Sequence, residues 1–205
     1  MSQTTVCILL GRPGSGKGTQ GELLREHLGY AHISTGEILR NAIREHTELG
    51  LMAQGFVEAG NLVPDALILS LISERMHHLV GQVPGIIFDG FPRTLPQAVA
   101  FQEVLLKFGI RQTVVVELKL PHQVASKRIE FREASNGGQV RVDDKDDVVV
   151  ARMAVFERET QPVINHYEQL GVLVSIEGSG SREEVFARVK LAVVGHDHPQ
   201  LGNPD

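Results

Sequence analysis

A three-layer α/β fold around a central parallel sheet is predicted by three observations. Short apolar runs, "TVCILL", "GIIFDG", "TVVVELKL" and "GVLVSIEG", recur along the 205 residues with helix-like segments between them. The intervals are long enough for the helical crossovers that parallel strands require. The runs are mainly apolar, which together with the crossovers argues a parallel sheet covered on both faces. The length fits one domain across residues 1–205, with small inserts.

Taken in order, "TVCILL" is the first strand and "KGTQGELLREHL" the helix after it. "GEILRNAIREH" and "LGLMAQGFVEAG" read as helices, the former with Ser34 or Thr35 as its N-cap. "PDALILSLISERMHHL" carries a proline near its start, where a first helical turn tolerates one. After "GIIFDG", "PQAVAFQEVLLKFG" is helical, and "HQVASKRIEFREA" follows the third run. "DVVVARMAVFERETQPVINHYEQLG" is a long periodic helix that Pro162 bends or interrupts. The end, residues 195–205, is polar and rich in turn formers, a disordered tail.

Between the first strand and its helix stands "GRPGSGKGTQ", Gly11 to Gln20, which fits the G-x-x-x-x-G-K core of a P-loop. Glycines let backbone N–H groups approach phosphate oxygens with no Cβ in the way. The helix N-terminus adds unpaired N–H groups and partial positive charge at the same point. Lys17 supplies a full charge. A phosphorylated nucleotide is the expected ligand. The hydroxyl that usually follows the lysine and binds magnesium is replaced here by Gly18, with Thr19 one place later. The metal then falls to nucleotide oxygens and water, with a carboxylate steering the waters. Asp89 is the candidate, since it ends the run "GIIFDG" and strand C-termini face the ligand crevice in such sheets.

Bulk properties exclude other classes. A net charge of −5 gives no overall attraction to nucleic acid or an anionic membrane, so anion binding must come from local arginines and lysines. No run approaches the ~18 apolar residues of a membrane span, and the opening segment lacks the features of a signal peptide. The lone Cys7, inside the first strand, reads as a buried inert thiol in a reducing, cytoplasmic setting.

Five motifs in register, "GRPGSGKGTQ", "HISTGEILR", "GNLVPD", "DGFPRTLPQA" and "RVDD", resemble the adenylate kinase family from about residue 5 to about residue 187. The resemblance implies phosphoryl transfer from Mg-ATP to AMP giving two ADP by a monomer. It implies a helical insert over residues 34–63 that covers AMP, and a lid near residues 131–143. With only "ASNGGQV" between Arg132 and Arg141, the lid is similar to the short forms, so Mg2+ is expected with ATP and no zinc. Gly14, Ser15, Gly16, Lys17, Gly18 and Thr19 would surround the ATP phosphates, Arg128 would stack on the ATP base, Arg132 would face the γ-phosphate, and Gly180 would meet ATP through its backbone. Arg40 and Arg93 would hold the AMP phosphate, with Arg141 and Arg152 bridging to the transferring group. Asp143 or Asp144 either starts a solvated helix or pairs with the lid arginines. These residue types suit the chemistry, because several negative charges must be brought together away from water, and the guanidinium fork grips two phosphate oxygens at once.

Acceptor choice rests on other residues. Thr35 and Gln97 point to AMP, since a glutamine amide can donate to a ring nitrogen and accept from an exocyclic amine, the edge adenine presents. Asn61, Leu62, Val63, Gly90, Phe91 and Pro92 complete the expected acceptor site. The rival enzyme is a uridylate/cytidylate or broad nucleoside monophosphate kinase, and the rival outside catalysis is a nucleotide sensor that would have lost Lys17 or the arginines. Arg12, bulkier than the small residue expected in the loop, is expected to point to solvent.

Overall fold

The computed structural model describes residues 4–110, 113–135 and 146–195. Among them, five parallel strands form one sheet: β1 (Thr5–Leu10), β2 (Ala31–Ser34), β3 (Gly85–Asp89), β4 (Thr113–Lys119) and β5 (Leu173–Glu177), in the spatial order β2-β3-β1-β4-β5. The helices are α1 (Lys17–Leu28), α2 (Thr35–Arg44), α3 (Glu48–Glu58), α4 (Asp65–Leu79), α5 (Leu95–Lys107), α6 (His122–Ser135), α7 (Asp146–Val155), α8 (Gln161–Gln169) and α9 (Arg182–Val194). The predicted α/β class and parallel sheet are as observed.

Alternate residues of β1 build the two outer interfaces. Val6, Ile8 and Leu10 face one apolar layer with Phe88, Phe101 and Val115 of β3, α5 and β4, and with Ile164 and Tyr167 of α8. Cys7 and Leu9 face the other, against Leu24 of α1 and Val185 and Val189 of α9. Every one of these strand residues is essentially removed from water. Cys7 is fully buried, and that burial pushes its thiol pKa up to about 12, so it stays protonated and unreactive.

Three features differ from the expectation or sharpen it. Strand β2 was not foreseen: it is four residues long at the sheet edge, and of its residues Ile33 alone is buried. Pro64 is the N-cap of α4, just outside its first turn, while Ser34 is the N-cap of α2, accepting from Glu37 N. The long helix beyond α7 is not interrupted at Pro162. It passes through a π-helical turn, Phe156–Thr160, whose Gln161 N–H donates to Phe156 O, and Pro162 then sits in the first turn of α8. There its missing N–H breaks nothing. Residues 196–205, nearly all of the expected tail, lie outside the described residues.

Candidate functional site

At the C-terminal ends of β1 and β3 two sites adjoin. On one side the 11–16 loop delivers the chain to the N-terminus of α1. Gly14 has φ +81°, and a Cβ there would sit 2.5 Å from Ala125 O of α6, so the loop and that helix approach through a position where only hydrogen fits. Ser15 is buried, its N–H donating to Arg12 O at 3.1 Å. Lys17 Nζ donates to Gly11 O at 2.6 Å and Arg12 O at 3.1 Å, which folds the charge back over its own loop. Gly18 and Thr19 are exposed on the outer turn of α1. Arg128 of α6 donates from Nη2 to Gly178 O at 3.0 Å, placing it at the loop that also carries Gly180. The 14–19 segment, Arg128 and the loop that carries Gly180 therefore adjoin.

Asp89 closes β3 between Leu9 of β1 and Ser34 of β2. Ser34 Oγ donates to its Oδ2 at 3.3 Å, and a Cβ on Gly18 would lie 3.4 Å from the same oxygen. His32 Nε2 stands 3.8 Å away, an ion-pair distance, while His32 Nδ1 meets Glu22 Oε1 at 3.0 Å. Burial works to raise the Asp89 carboxyl, but His32 and the charges of Lys17 and Arg93 outweigh it and hold Asp89 below the ordinary carboxylate range. Burial likewise works to lower His32, and the Asp89 and Glu22 carboxylates outweigh it, raising His32 above its ordinary value. An ionised carboxylate at a strand end, facing the P-loop across the gap that Gly18 leaves, fits a magnesium ion bound through water.

On the other side lies a partly open cleft. Thr35, Arg40, Asn61, Leu62, Val63, Gly90, Arg93, Gln97 and Arg152 line it. Five elements converge here. Thr35 opens α2 and donates from Oγ1 to Gly90 O at 2.9 Å. Arg40 lies one turn on, its Nη1 3.0 Å from the position of a Cβ on Gly36. Arg93 is held at three points: Nε donates to Gly90 O at 2.7 Å, the backbone N donates to Gln97 Oε1 at 2.7 Å, and the carbonyl accepts from Thr160 Oγ1 at 3.0 Å. Arg152 reaches the cleft because α7 packs on Gly60, where a Cβ would meet Val148 O at 2.9 Å and Arg152 Cγ at 3.2 Å.

Two expected acceptor residues are not on the wall. Phe91 is fully buried, its ring 4.9 Å from that of Phe101, and Pro92 is buried beside it. Arg141, Asp143 and Asp144 lie outside the described residues, as do all of 136–143; for Arg132 the backbone in α6 is described and the side chain is not. Arg12 does not point to solvent. Its Nη2 pairs with Glu157 Oε1 at 3.0 Å, and its guanidinium sits 5.7 Å from the centre of the Phe156 ring, so charge and quadrupole both draw it onto the π-helical turn. Asp65, His32 and Thr160 escaped notice. Asp65 stands inside the quoted "GNLVPD", and its position after proline at a helix start was the available signal.

The family model described as Adenylate kinase matches residues 9–172. The chain belongs to the adenylate kinase family. It is 42% identical over 186 residues to an adenylate kinase of Xylella fastidiosa, covering 91% of this chain and 97% of that one. It is 41% identical to that of Thermus thermophilus over 186 residues, 91% and 95% of the two chains, and 40% identical to that of Porphyromonas gingivalis over 182 residues, 89% and 92%. Phosphoryl transfer between ATP and AMP is the reaction that membership in the adenylate kinase family brings. Among the described residues no helix is long and apolar enough to cross a membrane.

Proposed function

We propose that this chain carries out reversible transfer of the γ-phosphoryl group of Mg-ATP to AMP, giving two ADP, with donor and acceptor meeting at the end of β3. One observation carries the reading of the site: consecutive residues belong to its two halves, Asp89 facing the P-loop side and Gly90 lining the acceptor cleft. In this reading ATP lies along Gly14–Thr19 with Arg128 and Gly180 at its base end, and AMP fills the cleft between Thr35, Arg40, Asn61–Val63 and Gln97. Arg40 and Arg93 supply fixed positive charge to the acceptor phosphate, Arg141 and Arg152 bridge towards the transferring group, and Arg132 faces the γ-phosphate. Lys17 follows the transferring group.

An oxygen of the AMP phosphate attacks the γ-phosphorus in line as the bond to the β–γ bridging oxygen breaks, and the electron pair leaves with ADP. The attacking oxygen is already anionic, so no side chain need remove a proton. Asp89 would hold, through water, a magnesium ion bound with ATP, which would supply positive charge at the phosphate oxygens. The protein's contribution is charge placed in advance and water kept out. The insert 34–63 is assigned to covering AMP and the lid 131–143 to covering ATP, in a monomer acting in the cytoplasm; sedimentation and cell fractionation test those last two points.

Initial rates with Mg-ATP and AMP, UMP, CMP or GMP side by side test the proposal. Strong preference for AMP is the expected result. Preference for a pyrimidine monophosphate would overturn the roles given to Thr35 and Gln97, and absence of transfer to every acceptor would overturn the whole reading.

A further inference from the structure

The structure joins two helix starts through one carboxylate. Asp65, the first residue of α4, receives a hydrogen bond on each oxygen from the start of α5: Thr94 Oγ1 donates to Oδ2 at 3.0 Å, and Gln97 Nε2 donates to Oδ1 at 2.6 Å. Thr94 in turn caps α5, its Oγ1 accepting from Gln97 N at 3.2 Å. The other end of the Gln97 amide is also engaged, with Oε1 accepting from Arg93 N at 2.7 Å. Gln97 is 2% exposed, yet it lines the acceptor cleft.

A primary amide has two N–H donors and two oxygen lone pairs. Here the protein takes one of each, leaving one donor and one acceptor for a ligand. Turning the amide over by half a turn would exchange those two positions. Adenine presents an exocyclic donor beside a ring acceptor, whereas a 6-oxopurine presents an exocyclic acceptor beside a ring donor. A freely turning glutamine can serve both bases; a fixed one serves one of them. Asp65 accepts and Arg93 N donates, so each admits one end of the amide alone. Without Asp65, a single neutral backbone bond would oppose the turn.

We propose that Asp65 is a specificity-determining positioning residue that fixes the Gln97 amide in one orientation, so that the cleft accepts a 6-aminopurine monophosphate and rejects its 6-oxo counterpart. Asp65 acts through Gln97 and touches no substrate. The proposal rests on the reading of Gln97 as the contact to the acceptor base. Asp65 also stands two residues beyond Val63, and 61–63 line the same cleft, so one carboxylate ties the wall beside the base to the group that reads it.

The test is kcat/KM for AMP and for inosine monophosphate, with Mg-ATP saturating, in the wild type, Asp65→Asn and Gln97→Ala, each checked for folding by thermal melting. In Asp65→Asn the amide at position 65 can present a donor to Gln97, and the expected result is a fall of about tenfold or more in the AMP-over-inosine ratio. The change should appear in the acceptor KM, with kcat and the KM for ATP little moved. Should that variant fold too poorly to assay, Asp65→Ser also offers a group able to donate or accept, and the same fall is expected. A ratio equal to wild type, whether both acceptors slow together or neither does, overturns the proposal, because a merely structural carboxylate would not choose between bases. Gln97→Ala separates the layers. If it keeps the ratio, Gln97 does not read the base and both readings fall; if it loses the ratio while Asp65→Asn keeps it, the role of Asp65 alone is refuted.

Discussion

Gly90→Ala should damage the acceptor site far more than it damages the fold. Gly90 has φ +76°, where an alanine costs about 1–2 kcal/mol. For a chain of this size ~1 kcal/mol corresponds to a melting shift of about 2–4 °C. The new Cβ would lie 2.7 Å from Arg93 Nη2 and 3.2 Å from Thr35 Oγ1. Arg93 ends in a flexible guanidinium, so it would move rather than unfold the chain, and moving breaks its 2.7 Å bond from Nε to Gly90 O. A hydrogen bond from a charged donor is worth about 1.5–3 kcal/mol, which translates into a loss of roughly 10- to 150-fold in kcat/KM for AMP. The KM for ATP should stay near wild type. Gly81→Ala is the control: φ is +79° and nothing lies within 4 Å of its Cβ, so it carries the same backbone penalty with no displaced side chain. Steady-state kinetics with each nucleotide varied, together with urea or thermal melts of both variants, separate the two effects. If Gly90→Ala kept kcat/KM for AMP within about threefold of wild type while melting like Gly81→Ala, Arg93 would not depend on Gly90 for its place at the acceptor.

Other perturbations test neighbouring claims. Lys17→Ala removes a cation held at 2.6 Å from Gly11 O and should slow single-turnover transfer by ~10²–10³-fold or more, with near-normal turnover excluding the P-loop role. Gly50→Ala places a Cβ 2.0 Å from Ala42 O; backbone, not a movable side chain, is in the way, so α2 and α3 must part at about 1–3 kcal/mol, read as a lower melting midpoint with a raised KM for AMP. His32 is raised above its ordinary 6.5 by Asp89 and Glu22 acting against burial. A group raised on folding contributes fully below its unfolded value and loses that contribution as pH climbs through its folded one. Asp89 and Glu22 are lowered, so their contributions are lost at the acid end. The urea midpoint should therefore decline as pH rises from about 6 toward 9, and His32→Gln should flatten that decline; an unchanged slope would remove the imidazolium from the account.

How much of this was legible depended on whether the physics was local. Strands β1, β3 and β4 are mainly apolar and almost wholly buried, and some helix starts carry caps that announce themselves, such as Ser34 before α2. Strand β2 was hidden because an edge strand of four residues, with a histidine and a serine beside Ile33, buries too little to make a pattern. The π-helical turn was hidden because "FERET" reads as ordinary helix, and an extra residue per turn leaves no compositional mark. The cleft residues were legible in motifs, but their partners were not. Arg12 meets Glu157 across 145 positions, and Asp65 meets Gln97 across 32, distances at which side-chain chemistry alone names no partner.

The π-helical turn sets an angle. From Arg152 to Val163 is a step of eleven residues, which in an unbroken α-helix comes within about 20° of three whole turns. Arg152 would then share the azimuth of Val163, a fully buried residue of the apolar layer, and would aim its charge into hydrocarbon. One residue absorbed in Phe156–Thr160 turns the first half of the rod back by about 100° relative to the second, which brings Arg152 round to the cleft while Val163, Ile164 and Tyr167 keep facing the sheet. The turn thus works as a phase shifter between a half that must face hydrocarbon and a half that must present one arginine to the cleft. Deleting a single residue from it would swing the arginine away and leave every neighbour's identity intact.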